Sequence, residues 1–388
     1  MVDRWQCFDD STGSFMEPHP LYGWTHPKGA SGWLKRCVGR TAEWRTFIRI
    51  NSHGLRSPEC GYERRDAFRI LVLGDSFTEG LQVADEEAFP RRLEGLLNAR
   101  LDAGCRIEVI NAGHAGYTTT NELLFYLHEG RKYRADLVLL VFNTENDVLE
   151  NSAALLQQIP FKYPDKPFFI YEGNELVLRN FPMTQEPEPW ATIDRARRAL
   201  ARHSMLYRFV RSVGLPRLVP EAGAAESPAR LGPLGALLND YPPEWREAWR
   251  ITRVLLRRLQ RAVEGDGSTF AVAVIGGAYE VSFRRLASRL SLTKLEQERG
   301  HLDPDKPFRL ITAWLRHRGI PYVPVLQRLR EHLQATGNDG YYAWDTHWNA
   351  EGHAVAAQAI DQELVELGLV PSGSCQRPAG VTTPPPAP

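Results

Sequence analysis

RILVLGDSFTEG, residues 69–80, is the stretch on which the reading of the fold turns. Ile70 to Leu73 form an unbroken apolar run rather than an alternating one. Such a run suits a strand buried on both faces, which places it inside a parallel sheet with helices on either side. The run stops at Gly74-Asp75-Ser76. Glycine and aspartate suffice for a strand-to-helix turn, and Asp75 or Ser76 can cap the helix that follows. A serine hydroxyl at that point would also stand at the carboxyl edge of the sheet, near the positive end of a helix. This stretch alone leaves turn and nucleophile equally open.

The same alternation of buried runs and helical patterns recurs downstream. RIEVINAG (106–113), ADLVLLVFN (135–143), STFAVAVIGG (268–277) and IPYVPVL (320–326) read as further buried strands. Helical stretches such as FPRRLEGLLNARL, EWREAWRITRVLLRRLQRAV and NAEGHAVAAQAIDQELVEL separate them. The expected fold class is therefore α/β: a three-layer sandwich around a five-stranded parallel sheet. In open sheets of this kind, ligands bind beyond the carboxyl ends of the strands.

Three segments depart from the rhythm. Residues 1–65, rich in Gly, Pro, Trp and His, are expected to form an irregular N-terminal extension with short strands around WRTFIRIN. The main domain spans 66–370 and carries an insertion at 150–245, too long for a connecting loop, which reads as a lid or substrate subdomain. Within it, the basic stretch 194–212 fits a solvated helix face better than an anion- or membrane-binding surface. Residues 371–388 form a low-complexity tail expected to be disordered.

Composition excludes several classes. The 388 residues contain 47 basic and 47 acidic side chains, so no global positive field is available to hold nucleic acid. No run of 18 apolar residues suggests a membrane span, and the first residues lack a basic-then-apolar leader, so a cytoplasmic protein is expected. Five scattered cysteines without a CxxC argue against a disulfide framework or a zinc site. Asp345, His347 and His353 could offer metal ligands, but His353 reads more simply as a helix residue. GxSxG, HExxH, P-loop and GxGxxG patterns are all missing.

The strand ends carry the chemistry. After the second strand comes Asn111-Ala112-Gly113-His114-Ala115-Gly116, whose glycines let backbone N–H groups approach a ligand. After the third comes Asn143-Thr144-Glu145-Asn146-Asp147, with a carboxamide able to donate to an oxyanion. Before the last helix comes Asp345-Thr346-His347-Trp348-Asn349, pairing a carboxylate with a base. Serine, glycine, asparagine and histidine in this order resemble the sequence blocks of the SGNH, or GDSL, hydrolase family. The resemblance covers roughly residues 45–160 and 265–365, with Asn51-Ser52-His53-Gly54-Leu55-Arg56 similar to its usual lead-in. Thr144 stands where that family usually has glycine, which would narrow the pocket beside Asn146. The DTHWN block is similar to a branch that includes alginate O-acetyltransferase-like domains.

The resemblance implies a flavodoxin-like strand order 2-1-3-4-5 and a catalytic triad of Ser76, His347 and Asp345. It further implies an oxyanion hole from the N–H groups of Ser76 and Gly116 and the side chain of Asn146. Asp75, His114 and Trp348 are expected next to the substrate. Neither metal nor cofactor is required. The function implied is hydrolysis of a carboxylic ester, removing a short acyl group from a glycan or small molecule. Transfer of that acyl group to an acceptor alcohol, and a silent member that binds acylated ligands, are the alternatives.

Overall fold

A computed structural model describes residues 15–39, 41–63, 66–157, 166–183, 228–293 and 295–373. Five parallel strands form the central sheet: β5 (Phe68–Gly74), β6 (Ile107–Gly113), β7 (Leu137–Asn143), β10 (Thr269–Ile275) and β11 (Tyr322–Val323). Their spatial order is β11-β10-β7-β5-β6. Renumbered one to five along the chain, this is the expected 2-1-3-4-5 arrangement. Every residue of β5, β6 and β7 is buried, as unbroken apolar runs require. Each such Leu, Ile or Val contributes about 1.5–3 kcal/mol relative to exposure.

Helices cover both faces. α2 (Phe89–Asn98), α10 (Val325–Thr336) and α11 (Ala350–Glu366) form one layer. α3 (Thr119–His128), the short α4 (Asp147–Glu150) and the long α6 (Pro243–Gly265) form the other. The strand registers bring Gly74 opposite Gly113, and Asn143 opposite Ile275. The carboxyl ends of four strands therefore lie side by side. A Cβ on Gly113 would fall 2.5 Å from the Glu79 nitrogen, so glycine is required there for the turn after Gly74 to lie across the sheet edge.

The N-terminal region is more regular than its sequence suggests. It holds two antiparallel hairpins, β1 (Glu17–His19) with β2 (Gly23–Thr25), and β3 (Ser31–Val38) with β4 (Thr41–Arg49). Leu34, Trp44 and Ile48 of the second hairpin, with Ile50 just after it, bury their side chains with Phe15 in a small core of their own. From the region read as an insertion, a third hairpin, β8 (Phe168–Glu172) with β9 (Glu175–Arg179), packs Phe169 into the main core. The basic stretch 194–212 and the tail beyond 373 lie outside the described residues. Among those described, no helix is long and apolar enough to cross a membrane.

Two expectations are corrected here. The run 320–326 is strand only at Tyr322–Val323, and helix from Val325 onward. Pro321 and Pro324 lack the N–H groups that a longer strand would donate. Cys37 and Cys105 each take part in a disulfide, and Cys60 is a buried free thiol. Cysteine spacing is a poor guide to such bonds, because pairing depends on which remote segments the fold brings together.

Candidate active site

Ser76 opens α1 (Ser76–Glu79), a single helical turn set on the end of β5. Asp75 caps this turn by accepting the Phe77 N–H at 2.9 Å, and Gly80 closes it in the left-handed region at φ 69°. As the first helical residue, Ser76 has no partner within the helix for its own N–H. Its hydroxyl lies 2.7 Å from Nε2 of His347. His347 Nδ1 in turn donates to Oδ1 of Asp345. The residue between them, Thr346, adopts φ 66°, a left-handed conformation costly for a β-branched side chain. That backbone lets an aspartate and a histidine only two residues apart face each other.

Asp345 is held from its other side as well. Its Oδ2 accepts the indole N–H of Trp44 at 2.9 Å, and the Arg36 guanidinium stands 3.6 Å away. Arg36 also donates to the Trp344 carbonyl at 3.2 Å, while the Glu43 carboxylate accepts the Trp344 N–H at 2.7 Å. All four contacts come from the β3–β4 hairpin. Burial by itself would raise the Asp345 carboxyl, but the hydrogen bond and charge of His347, with Trp44 and Arg36, hold it below the usual range. Burial opposes charge on His347, yet Asp345, assisted by Asp75 and Glu145, raises it above an ordinary histidine.

Beside Ser76 stands a second set of donors. Asn146, after β7, gives one amide hydrogen to Asp75 Oδ2 at 3.1 Å, which leaves its second for a ligand. Asn143 donates to the same oxygen at 3.0 Å. Gly116, in the turn after β6, has φ 76°. Thr144 does not fill the pocket: its hydroxyl lies 2.9 Å from the Ile275 carbonyl and 2.8 Å from the Glu280 carboxyl, which burial pushes up to about 8. It ties β7 to β10 and the short helix after it.

Three side chains expected against the substrate lie elsewhere. Asp75 is buried and spends its oxygens on Phe77, Asn143 and Asn146, so it orders the donors instead of lining the cavity. His114 is fully buried, stacked between His26 and Tyr117. Trp348 is buried against Phe77 and Phe89. His353 accepts the Phe89 N–H at 3.3 Å within the core, and no cluster of three metal-ligating side chains occurs among the described residues.

Glu79 carries no local mark of its role in the sequence. Its carboxylate, wholly buried, accepts the Ala115 N–H at 2.6 Å and forms an ion pair with His26 at 3.1 Å. Trp24, His26, Arg36 and Trp44 are marked in the sequence only by the concentration of Trp and His before residue 60.

A hydroxyl, an imidazole and a carboxylate in hydrogen-bond sequence, next to amide donors, form the arrangement of a serine hydrolase. The GDSL-like lipase/acylhydrolase family matches residues 72–277, more than half of the 388, and the chain belongs to that family. It is an ester hydrolase of the SGNH type. No curated protein matches it. Among solved structures it is similar to a catalytic mutant of an acetylxylan esterase from Geobacillus stearothermophilus, at 13% identity and a TM-score of 0.40, covering 78% of this chain and 96% of that one. A two-domain esterase active on acetylated mannans gives 13% identity and a TM-score of 0.38, covering 78% of this chain and 50% of that one. A GDSL-like lipase from Bacteroides thetaiotaomicron gives 12% and 0.35, with 79% and 93% covered.

Proposed function

We propose that Ser76 is the nucleophile of this esterase, His347 its general base and Asp345 the residue that fixes the histidine tautomer. The observation that carries this reading is the continuous chain from the Ser76 hydroxyl through His347, at 2.7 Å, to Asp345. Ser76 Oγ attacks the ester carbonyl and passes its proton to Nε2. The tetrahedral oxyanion is met by the N–H groups of Ser76 and Gly116 and the free amide hydrogen of Asn146. Collapse expels the alcohol, which takes the proton from His347, and water then repeats the sequence on the acyl-serine.

The substrate we propose is a short acyl ester of a carbohydrate. Trp344, adjacent to Asp345 and pinned at both its N–H and its carbonyl, leaves 64% of its surface exposed. An exposed aromatic side chain on a backbone held next to the triad suits the apolar face of a sugar ring. The disulfide bonding of Cys37 and Cys105 favours an oxidising compartment over the cytoplasmic one expected from the sequence.

The test is labelling with a fluorophosphonate probe together with turnover of acetylated oligosaccharides. Wild type is expected to take one adduct at Ser76 and release acetate, and Ser76→Ala to do neither. Wild type that stays unlabelled at pH 8 sinks the nucleophile assignment. Labelling without acetate release to water, but with acetate moved to an added sugar, favours the acyltransferase. Asn146→Ala should lower kcat by about 10²–10³ with little loss of Tm.

A further inference from the structure

We propose that Trp24 is a positioning residue for the oxyanion hole: its indole N–H holds the Ala115–Gly116 peptide in the one orientation that aims the Gly116 N–H at the reacting carbonyl. The inference rests on the site assignment made above.

The turn after β6 has an unusual set of constraints. Tyr117 N–H donates to the His114 carbonyl at 3.0 Å, closing a four-residue turn whose third residue is Gly116 at φ 76°. A positive φ at that position, with Ala115 before it outside the left-handed region, defines a type II turn. Types I and II differ by a half-rotation of their central peptide, here the one joining Ala115 to Gly116. In a trans peptide the C=O and N–H point to opposite edges, so this rotation would carry the Gly116 N–H away from the site. Glycine at the third position tolerates both forms, and the turn's own hydrogen bond is compatible with either.

An external contact must therefore decide between them. The Ala115 carbonyl, on the same peptide as the Gly116 N–H, accepts the Trp24 indole N–H at 3.0 Å. Trp24 is 1% exposed and sits in β2. Its strand is fastened to the segment that follows the turn: Asn121 donates to the Tyr22 carbonyl at 2.9 Å, and the Tyr117 hydroxyl donates to the Trp24 carbonyl. The preceding peptide is fixed independently through Ala115 N–H on Glu79, at 2.6 Å. The Trp24 indole N–H thus acts on the peptide that bears the proposed oxyanion donor.

The experiment compares wild type with Trp24→Phe, which keeps an aromatic ring but has no N–H. Three quantities are read: steady-state kinetics on a short-chain aryl ester, inhibition by an alkyl boronic acid that forms a tetrahedral adduct with the nucleophile, and Tm. We expect kcat to fall about 10- to 100-fold with KM within about twofold, and boronate affinity to fall with kcat, since both depend on the oxyanion donor. Substituting 3-benzothienylalanine at position 24, with sulfur in place of the N–H, should reproduce the kinetic loss at near-native Tm if the phenylalanine variant folds poorly. An unchanged kcat in a folded variant overturns the inference, as does a loss of Tm with boronate affinity intact. Wild type that takes no fluorophosphonate label overturns the site assignment and this inference together. Labelled wild type beside a fully active position-24 variant overturns this inference alone.

Discussion

Two histidine–carboxylate pairs lie around Ser76, and they differ in what the second ring nitrogen faces. In His347–Asp345, that nitrogen meets the Ser76 hydroxyl, a group able to give up a proton. In His26–Glu79, one nitrogen lies 3.1 Å from the carboxylate and the other 2.5 Å from the Phe15 carbonyl, which can only accept. His26 therefore needs both protons. Burial works against that charge, but Glu79 outweighs it and raises His26, while His26 holds Glu79 low. The neighbouring His114, buried and stacked 4.6 Å from His26, is pushed down to about 3 and stays neutral. The same two residue types face a hydroxyl at one position and form a fixed clamp at the other.

The largest effect should come from Asp345→Asn, with kcat falling on the order of 10⁴ as the histidine loses its orienting acceptor. The pH profile of kcat/KM tests the same pair. With His347 as the proposed base, the active form has it neutral, so the rate is expected to rise as that proton leaves, and with a raised pKa this limb lies above about 6.5. The rise should move to lower pH in Asp345→Asn, where the raising partner is gone. A limb that does not move would show that another group titrates.

Glu79→Gln should strike at stability first. It leaves a buried cation uncompensated, with an expected loss of about 3–5 kcal/mol by chemical denaturation. The pH dependence has a definite sign. His26 has a raised folded pKa, so its contribution is present below about 6.5 and is lost as pH climbs through the folded value. Glu79, lowered in the folded state, contributes above about 4.3 and is lost as pH falls through its folded value. A His26→Gln variant should lose part of the decline in Tm on the alkaline side; an identical Tm–pH curve would remove the clamp from the account. The smallest effect is expected from Thr346→Gly. Relief of the left-handed strain, set against glycine's greater chain entropy, leaves a gain of about 1 kcal/mol, seen as a small rise in Tm.

The four central strands and the segments that supply the Ser76–His347–Asp345 hydrogen-bond chain were legible because each announces itself locally. Ile70–Leu73 is an apolar run of strand length, and Asp345-Thr346-His347 places acid and base within three residues. The supports were not legible, because each acts across a long separation. Trp24 and Ala115 are 91 residues apart, and Trp44 and Asp345 are 301 apart. Nothing in the local pattern of a tryptophan says that its N–H will cap a carbonyl in another layer. Asp75, His114 and Trp348 misled for the converse reason: each sits beside a motif residue in sequence, yet turns its side chain into the protein.

The hairpin that grips Asp345 also has a consequence for how the protein is made. Ser76 and His347 are 271 residues apart, and the hydrogen bond that steadies the pair reaches back to residue 44. A chain emerging from the ribosome would have the Ser76 turn and four of its five central strands long before His347 exists. On the proposed assignment the enzyme therefore stays silent until residue 347 is made, and any product truncated before Asp345 would present an inert serine on an otherwise recognisable sheet.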